Sequence, residues 1–142
     1  MYDATKIAEY AIEYENSQGR SVSNLRLQKL LYFIQAQFLV DNHEPCFDDR
    51  MEAWDFGPVV PSVYHEYKYF GSSSIPHLTS KGSYGIADDD QLLIEHILDR
   101  CARHSTTALV SITHGQAPWR DAYYKGFDNT ISPQAIQSYF GG

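Results

Sequence analysis

The sequence predicts a mainly α-helical protein in which about six helices pack around one central helix, with a small β element beside them. The central helix is the stretch SNLRLQKLLYFIQAQFLV, from Ser23 to Val40. At 100° per residue its apolar side chains fall on two opposite faces, which narrow seams of Gln and Arg separate. A helix with two apolar faces must be covered on both sides, so we expect the other helices to bury it.

Amphipathic stretches before and after this segment predict the remaining helices. Each has an apolar stripe at helical spacing and begins at a residue suited to a helix start, such as Asp3, Pro61, Ser105 or Ser132. The predicted helices cover residues 3–16, 61–70, 88–103, 105–115 and 132–140, with a short turn or helix over 118–123. The acidic run 88–90 suits the positive end of a helix dipole.

Residues 50–90 contain the predicted β element and a long loop. The alternation over Arg50 to Trp54 predicts a brief strand, and the letters FGP at 56–58 predict a break after it. Residues 72–90 are rich in Ser, Gly and Asp, so we expect a surface loop with a hairpin near Gly82 to Gly85.

Length and charge limit the classes of partner. At 142 residues the chain is expected to form one domain over 1–142. Its 11 Lys and Arg against 18 Asp and Glu give a formal net charge of −7, which opposes unspecific binding to nucleic acid or anionic lipid and favours a basic partner surface. Two distant Cys and an N-terminus without a signal-peptide pattern predict a reduced, cytoplasmic protein. Because no apolar run reaches the ~18 residues of a membrane span, no membrane partner is expected.

One set of residues has the spacing of a zinc site. His43-x-x-Cys46 and Cys101-x-x-His104 together supply two His and two Cys. Cys101, however, lies in the apolar stripe of the fourth predicted helix, where a free Cys behaves as a small hydrophobic residue. We therefore favour no metal and keep these four residues as a weak candidate set.

His114 is the candidate for catalysis. With Thr113 before it and Trp119-Arg120 after it, it could act as a general base beside a stacking ring. The alternative is a helix end at which Thr113 caps, the imidazole bonds to backbone and Trp119 anchors a turn. Since neither a nucleophile nor a phosphate-binding loop accompanies His114, the second interpretation is favoured, and an enzyme using His114 stays an alternative.

Aromatic residues are dense around the third predicted helix. Tyr64, Tyr67, Tyr69 and Phe70 follow Trp54 and Phe56, which is more rings than one helix face can bury. They form either the partly exposed rim of the core or a contact patch with ring anchors.

Several segments together carry a resemblance to a known family. They are LQKLLY at 27–32, FD at 47–48, EAWDFGPVVPSVY at 52–64, TH at 113–114 and PWR at 118–120. In these segments, and over most of the chain from about Ile7 to Ala122, the sequence resembles the Panacea antitoxin domain. That family includes phage-associated GepA-like proteins and SocA-like proteolytic adaptors. The specific element is the run from Trp54 to Pro61, because an LQKLLY helix alone is common.

The resemblance implies a mainly helical domain that binds and neutralises a protein toxin encoded beside it. We expect this neutralisation to involve no catalysis and no cofactor. In the SocA-like branch it implies delivery of the toxin to a ClpXP-type protease instead. On the antitoxin hypothesis, the aromatic residues are the anchors of the toxin-binding surface and two carboxylates are its charged rim. The predicted toxin-binding residues are Trp54, Asp55, Phe56, Tyr64, Glu66 and Tyr67.

Overall fold

The computed structural model describes residues 1–76 and 84–141. Within them the chain forms seven α-helices and a two-stranded sheet, so the predicted mainly helical class with a small β element is confirmed. In chain order the elements are α1 (Ala4–Ser17), α2 (Asn24–Asn42), β1 (Glu52–Trp54), β2 (Gly57–Val59), α3 (Pro61–Tyr67), α4 (Asp88–Cys101), α5 (Thr106–His114), α6 (Ala117–Tyr124) and α7 (Pro133–Gly141). A 3-10 turn, Lys68–Phe70, continues α3.

The central position of α2 is confirmed. It packs against α1, α3, α4, α5, α7 and β2, and its apolar residues Leu27, Leu30 and Ile34 are fully buried. The Ser23 side chain accepts a hydrogen bond from the Arg26 N–H at 3.2 Å, which satisfies one of the free donors of the first turn. The sequence allows Ser23 or Asn24 as this cap, and the structure uses Ser23.

The polar seam of α2 does more than separate two apolar faces, because Gln28 and Gln35 are themselves buried. The Gln35 carbonyl oxygen accepts the N–H groups of Cys46 at 2.8 Å and Phe47 at 3.3 Å. Its amide nitrogen donates to the Phe47 carbonyl at 2.8 Å. One side chain thus satisfies the backbone of the connection between α2 and β1, which would otherwise enter the core unpaired.

The sheet differs from the prediction, since residues 56–58 do not end the β element. The chain turns at Asp55 and Phe56 and returns as β2, antiparallel to β1, with Ala53 opposite Pro58. Ala53 donates its N–H away from β2, to the Asn129 carbonyl at 2.8 Å. The pair of Ala53 and Pro58 therefore exchanges no hydrogen bond between the strands. Because the missing N–H of Pro58 is not required there, proline is tolerated in β2.

The later part of the chain follows the predicted order. The turn or helix expected over 118–123 is the helix α6, and Ser132 bonds to the Ala135 N–H at the start of α7. The hairpin expected near Gly82 to Gly85 falls largely on residues outside the described part of the chain. Among the described helices, none is long and apolar enough to cross a membrane.

We predict that Gln35→Leu destabilises the protein by about 2–4 kcal/mol, because it leaves the buried polar groups of Cys46 and Phe47 without partners. The matched control is Gln37→Leu on the same helix, whose amide bonds only to the exposed Asp41 carboxylate. Urea unfolding followed by circular dichroism should place the control within about 0.5 kcal/mol of wild type. Equal losses in the two variants would contradict the role assigned to Gln35.

Candidate functional site

Three neighbouring rings bind the turn of the β-hairpin through hydrogen bonds. The His114 Nε2 donates to the Asp55 carbonyl at 2.9 Å, and the Trp119 Nε1 donates to the Trp54 carbonyl at 2.8 Å. The Tyr123 hydroxyl donates to the Asp55 carboxylate. The ring centroids lie 4.2 Å apart for His114 and Trp119, and 4.6 Å apart for Trp119 and Tyr123. We call His114, Trp119 and Tyr123 the ring column.

Two helix ends place the ring column against the hairpin. His114 is the last residue of α5, and the buried Thr113 donates its hydroxyl to the Val110 carbonyl one turn earlier. Trp119 and Tyr123 are four residues apart and therefore lie on the same face of α6. The interpretation in which the His114 imidazole bonds to backbone and Trp119 anchors a turn is confirmed.

A buried lysine of α2 binds the backbone of the hairpin. Lys29 of α2 is fully buried, and its Nζ donates to the Pro58 carbonyl at 2.6 Å. Gly57 lies directly over it: a Cβ there would be 2.7 Å from the Lys29 Cε and 2.9 Å from the Thr113 Oγ1. Burial lowers the pKa of Lys29 to about 7, because the charged ammonium loses its hydration.

A chain of amide hydrogen bonds continues from α2 to β2 and α3. Gln28 accepts the Val60 N–H at 2.9 Å and donates to the Asn24 side chain at 2.9 Å. Asn24 in turn donates to the Tyr64 carbonyl at 3.1 Å. The Tyr64 ring packs edge-on against Trp54, with centroids 4.9 Å apart. The hairpin is therefore fixed by α2, α3, α5 and α6 together.

The tip of this hairpin carries an exposed ring beside a cleft. Phe56 is 66% exposed, although the residues on either side of it are held by the contacts above. The cleft has a volume of about 580 Å³. Its wall includes Leu25, Trp54, Asp55, Phe56, Tyr64, Lys68 and Tyr123. We call Trp54, Asp55, Phe56 and Tyr64, with the cleft between them, the hairpin surface.

The structure brings four of the six predicted toxin-binding residues together in the hairpin surface. Glu66 is exposed but does not line the cleft. Tyr67 is only 6% exposed and belongs to the core, so it is not available as a surface anchor. Counting rings on α3 could not identify which of them the neighbouring α1 covers.

Some residues of the site were not predicted from the sequence. Lys29 was missed, although a lysine beside Gln28 and followed by Leu30 and Leu31 in a doubly apolar helix is a signal of burial. Tyr123 was also missed, and its signal is the spacing of four residues from Trp119 in a short helix.

The weak zinc candidates do not come together. His43 follows the C-terminal end of α2, where its Nδ1 contacts the Gln137 amide. Cys101 lies near the other end of α2, where its carbonyl accepts a hydrogen bond from the Arg26 side chain in the first turn. Arg26 and His43 are separated by about 25 Å of helix at 1.5 Å per residue. Among the described residues, no group of three or more His, Cys, Asp or Glu side chains could hold a metal ion.

Comparison with known proteins identifies the family. A family model described as Antitoxin SocA-like, Panacea domain matches residues 27–120. The chain belongs to this family. Antitoxin SocA of Caulobacter vibrioides (strain NA1000 / CB15N) is 35% identical over 128 residues, covering 82% of this chain and 68% of that protein. No solved structure matches. The segment shared with the SocA-like family contains Lys29, the whole hairpin and the first two members of the ring column.

We predict that Gly57→Ala destabilises the protein by more than about 2 kcal/mol. The backbone φ of +112° disfavours a side chain, and the added Cβ would collide with Lys29 and Thr113. Gly19→Ala is the matched control, because Gly19 also has positive φ (+74°) but has nothing within 4 Å of the added Cβ. Thermal and urea unfolding should give a loss of about 1 kcal/mol for the control. A Gly57→Ala variant no less stable than the control would disprove the close packing.

The lowered pKa of Lys29 predicts a pH dependence of stability. Between pH 7 and 10.5 the folded protein releases the Lys29 proton while the unfolded chain keeps it, so stability rises with pH in this window. Lys29→Met should remove that rise. We expect the difference in unfolding free energy, wild type minus variant, to increase by up to about 1.4 kcal/mol per pH unit between pH 7 and 8.5.

Urea unfolding at four pH values in this range measures the effect of Lys29→Met. Lys125→Met is the control, since the Lys125 side chain is 78% exposed and the substitution should leave the pH dependence of wild type unchanged. A constant difference between wild type and Lys29→Met would mean that the buried amine keeps its proton.

Proposed function

We propose that this protein is an antitoxin that neutralises a cognate protein toxin by binding it directly, with no catalytic step and no cofactor. Membership of the SocA-like family supports the antitoxin role, and a relative with 35% identity is named Antitoxin SocA. The proposed partner is a protein encoded beside this chain, as the resemblance to the family implies.

The observation that carries the proposal is the exposed Phe56 on a fixed hairpin. A large apolar side chain in water is unfavourable to the free protein, and a partner gains by covering it. Because the ring column and Lys29 already hold the backbone of the turn, little further ordering is needed on binding. Aromatic anchors next to a cleft are typical of the residues that dominate protein interfaces.

The charge of the protein supports the same partner class. The formal net charge of −7 favours fast association with a toxin that has a basic surface. Asp55 places one carboxylate at the hairpin tip, where the Tyr123 hydroxyl fixes it beside Phe56. The hairpin surface thus combines an apolar anchor with an oriented acceptor for a basic side chain of the toxin.

We predict that Phe56→Ser weakens toxin binding by roughly 30-fold, the loss of one interface hot spot, and leaves the unfolding free energy within about 0.5 kcal/mol of wild type. The toxin to use is the product of the adjacent gene that is lethal when expressed alone. Leu92→Ser is the matched control, because Leu92 is 65% exposed but lies on α4, which does not line the cleft. Affinity is measured by calorimetry and neutralisation by rescue of growth.

Full neutralisation by Phe56→Ser, or an equal loss with Leu92→Ser, would refute the proposed surface. The rival function, delivery of the toxin to a ClpXP-type protease, is separated by the toxin's half-life in cells with and without that protease. Direct neutralisation rescues growth in both strains, whereas an adaptor rescues growth only where the protease is present and the toxin is degraded.

A further inference from the structure

A second surface, unused by the proposed toxin contact, lies on another face of α2. It is a groove between α2, α4, α5 and α7, with a volume of about 330 Å³. Its apolar wall is formed by Phe33, Val40, Ile97, Leu109, Ile112 and Phe140. Ile112 is 37% exposed there, which is unfavourable for a free apolar side chain. No residue lines both this groove and the cleft of the hairpin surface.

Two basic side chains, Arg100 and His104, line this groove. Among the described residues, neither has a hydrogen bond or an ion pair from its side chain, and both are exposed. The neighbouring Arg26 already donates to the carbonyls of Cys101 and His104, so the backbone after α4 does not need them. Arg20 is likewise occupied, by Glu15 and Asp99. The fold therefore leaves Arg100 and His104 available to a partner.

We propose that this groove binds a short apolar peptide segment that carries a carboxylate, from an Asp, a Glu or a free C-terminus, in a protein other than the toxin. The apolar wall has room for a few aliphatic or aromatic side chains, and Arg100 can hold a carboxylate through two parallel hydrogen bonds. In a chain with net charge −7, an unpaired arginine beside an apolar groove selects an acidic partner against a basic one.

A small anion fits this surface poorly, because most of its lining is apolar and would stay exposed to water. A purely apolar segment would leave Arg100 without a counter-charge in a partly desolvated site, which is unfavourable. A segment that combines apolar side chains with a carboxylate covers the apolar wall and supplies the counter-charge for Arg100.

The test is selection from a library of random twelve-residue peptides displayed on phage. We expect peptides recovered with the wild-type protein to combine apolar residues with Asp or Glu. Arg100→Glu should lower the affinity of the selected peptides at least roughly tenfold, measured by fluorescence anisotropy of the synthetic peptides. Arg103→Glu is the matched control, because Arg103 is an exposed arginine near the same helix end that does not line the groove and its replacement changes the net charge equally.

Replacing the acidic residue of a selected peptide by Lys should abolish binding to wild type and restore part of the binding to Arg100→Glu. Enrichment without acidic residues, or equal losses with Arg100→Glu and Arg103→Glu, would overturn the proposal. Self-association that Arg100→Glu abolishes would assign the groove to a second copy of the chain and overturn it as well.

Peptide binding in the groove does not rest on the proposed function, but the choice of a partner other than the toxin does. Arg100→Glu should neutralise the toxin as wild type does, whereas Phe56→Ser should keep its affinity for the selected peptides. Loss of toxin binding with Arg100→Glu would show that the toxin occupies the groove, which contradicts a separate partner. Loss of toxin binding with Phe56→Ser but not with Arg100→Glu would support both the hairpin surface as the toxin contact and the groove as a separate site.

Discussion

Buried side-chain hydrogen bonds from α2 to the backbone of its neighbours are the constraint on which the rest of this structure depends. Lys29 holds the Pro58 carbonyl, Gln28 holds the Val60 N–H, and Gln35 holds the backbone of Phe47. Non-helical chain that enters a core must have its polar groups paired. A hairpin of two three-residue strands cannot do this by itself. The polar seam of one helix therefore determines where the hairpin lies.

The sequence predicted the parts of the fold that local periodicity encodes. The apolar repeat and a capping residue at Ser23 or Asn24 were enough to identify α2, because both act within a few residues of the chain. β2 could not be predicted in this way, since Gly57 and Pro58 are local signals of a break. What makes a strand possible there is distant in sequence, namely Asn129 beside Ala53 and Lys29 beneath Pro58. Only the tertiary structure supplies those contacts.

The candidate site, like the fold, was only partly predictable from the sequence. An excess of rings in a short stretch correctly indicated that some are exposed, and Phe56 and Tyr64 lie in the cleft wall. Composition cannot show which rings other helices cover, and this is why Tyr67 was misplaced. The ring column could not be predicted, because its members lie on α5 and α6, more than fifty residues after the hairpin that they contact. His114 was predicted to be a helix-end residue, and it is, but its carbonyl partner is Asp55 on the hairpin.

The same contacts explain the run WDFGPVVP, on which the resemblance to the family mainly depends. The Trp54 carbonyl accepts a hydrogen bond from Trp119, and Gly57 leaves room for Lys29. Side chains of α2 bond to the Pro58 carbonyl and to the Val60 N–H. Each of these positions is required by the backbone path. Phe56 is different, because no other part of the described structure buries it and no hydrogen bond needs its side chain. A framework that fixes the turn while leaving the tip free lets that tip change without loss of stability. Such an arrangement suits the proposed role of Phe56 as a toxin contact.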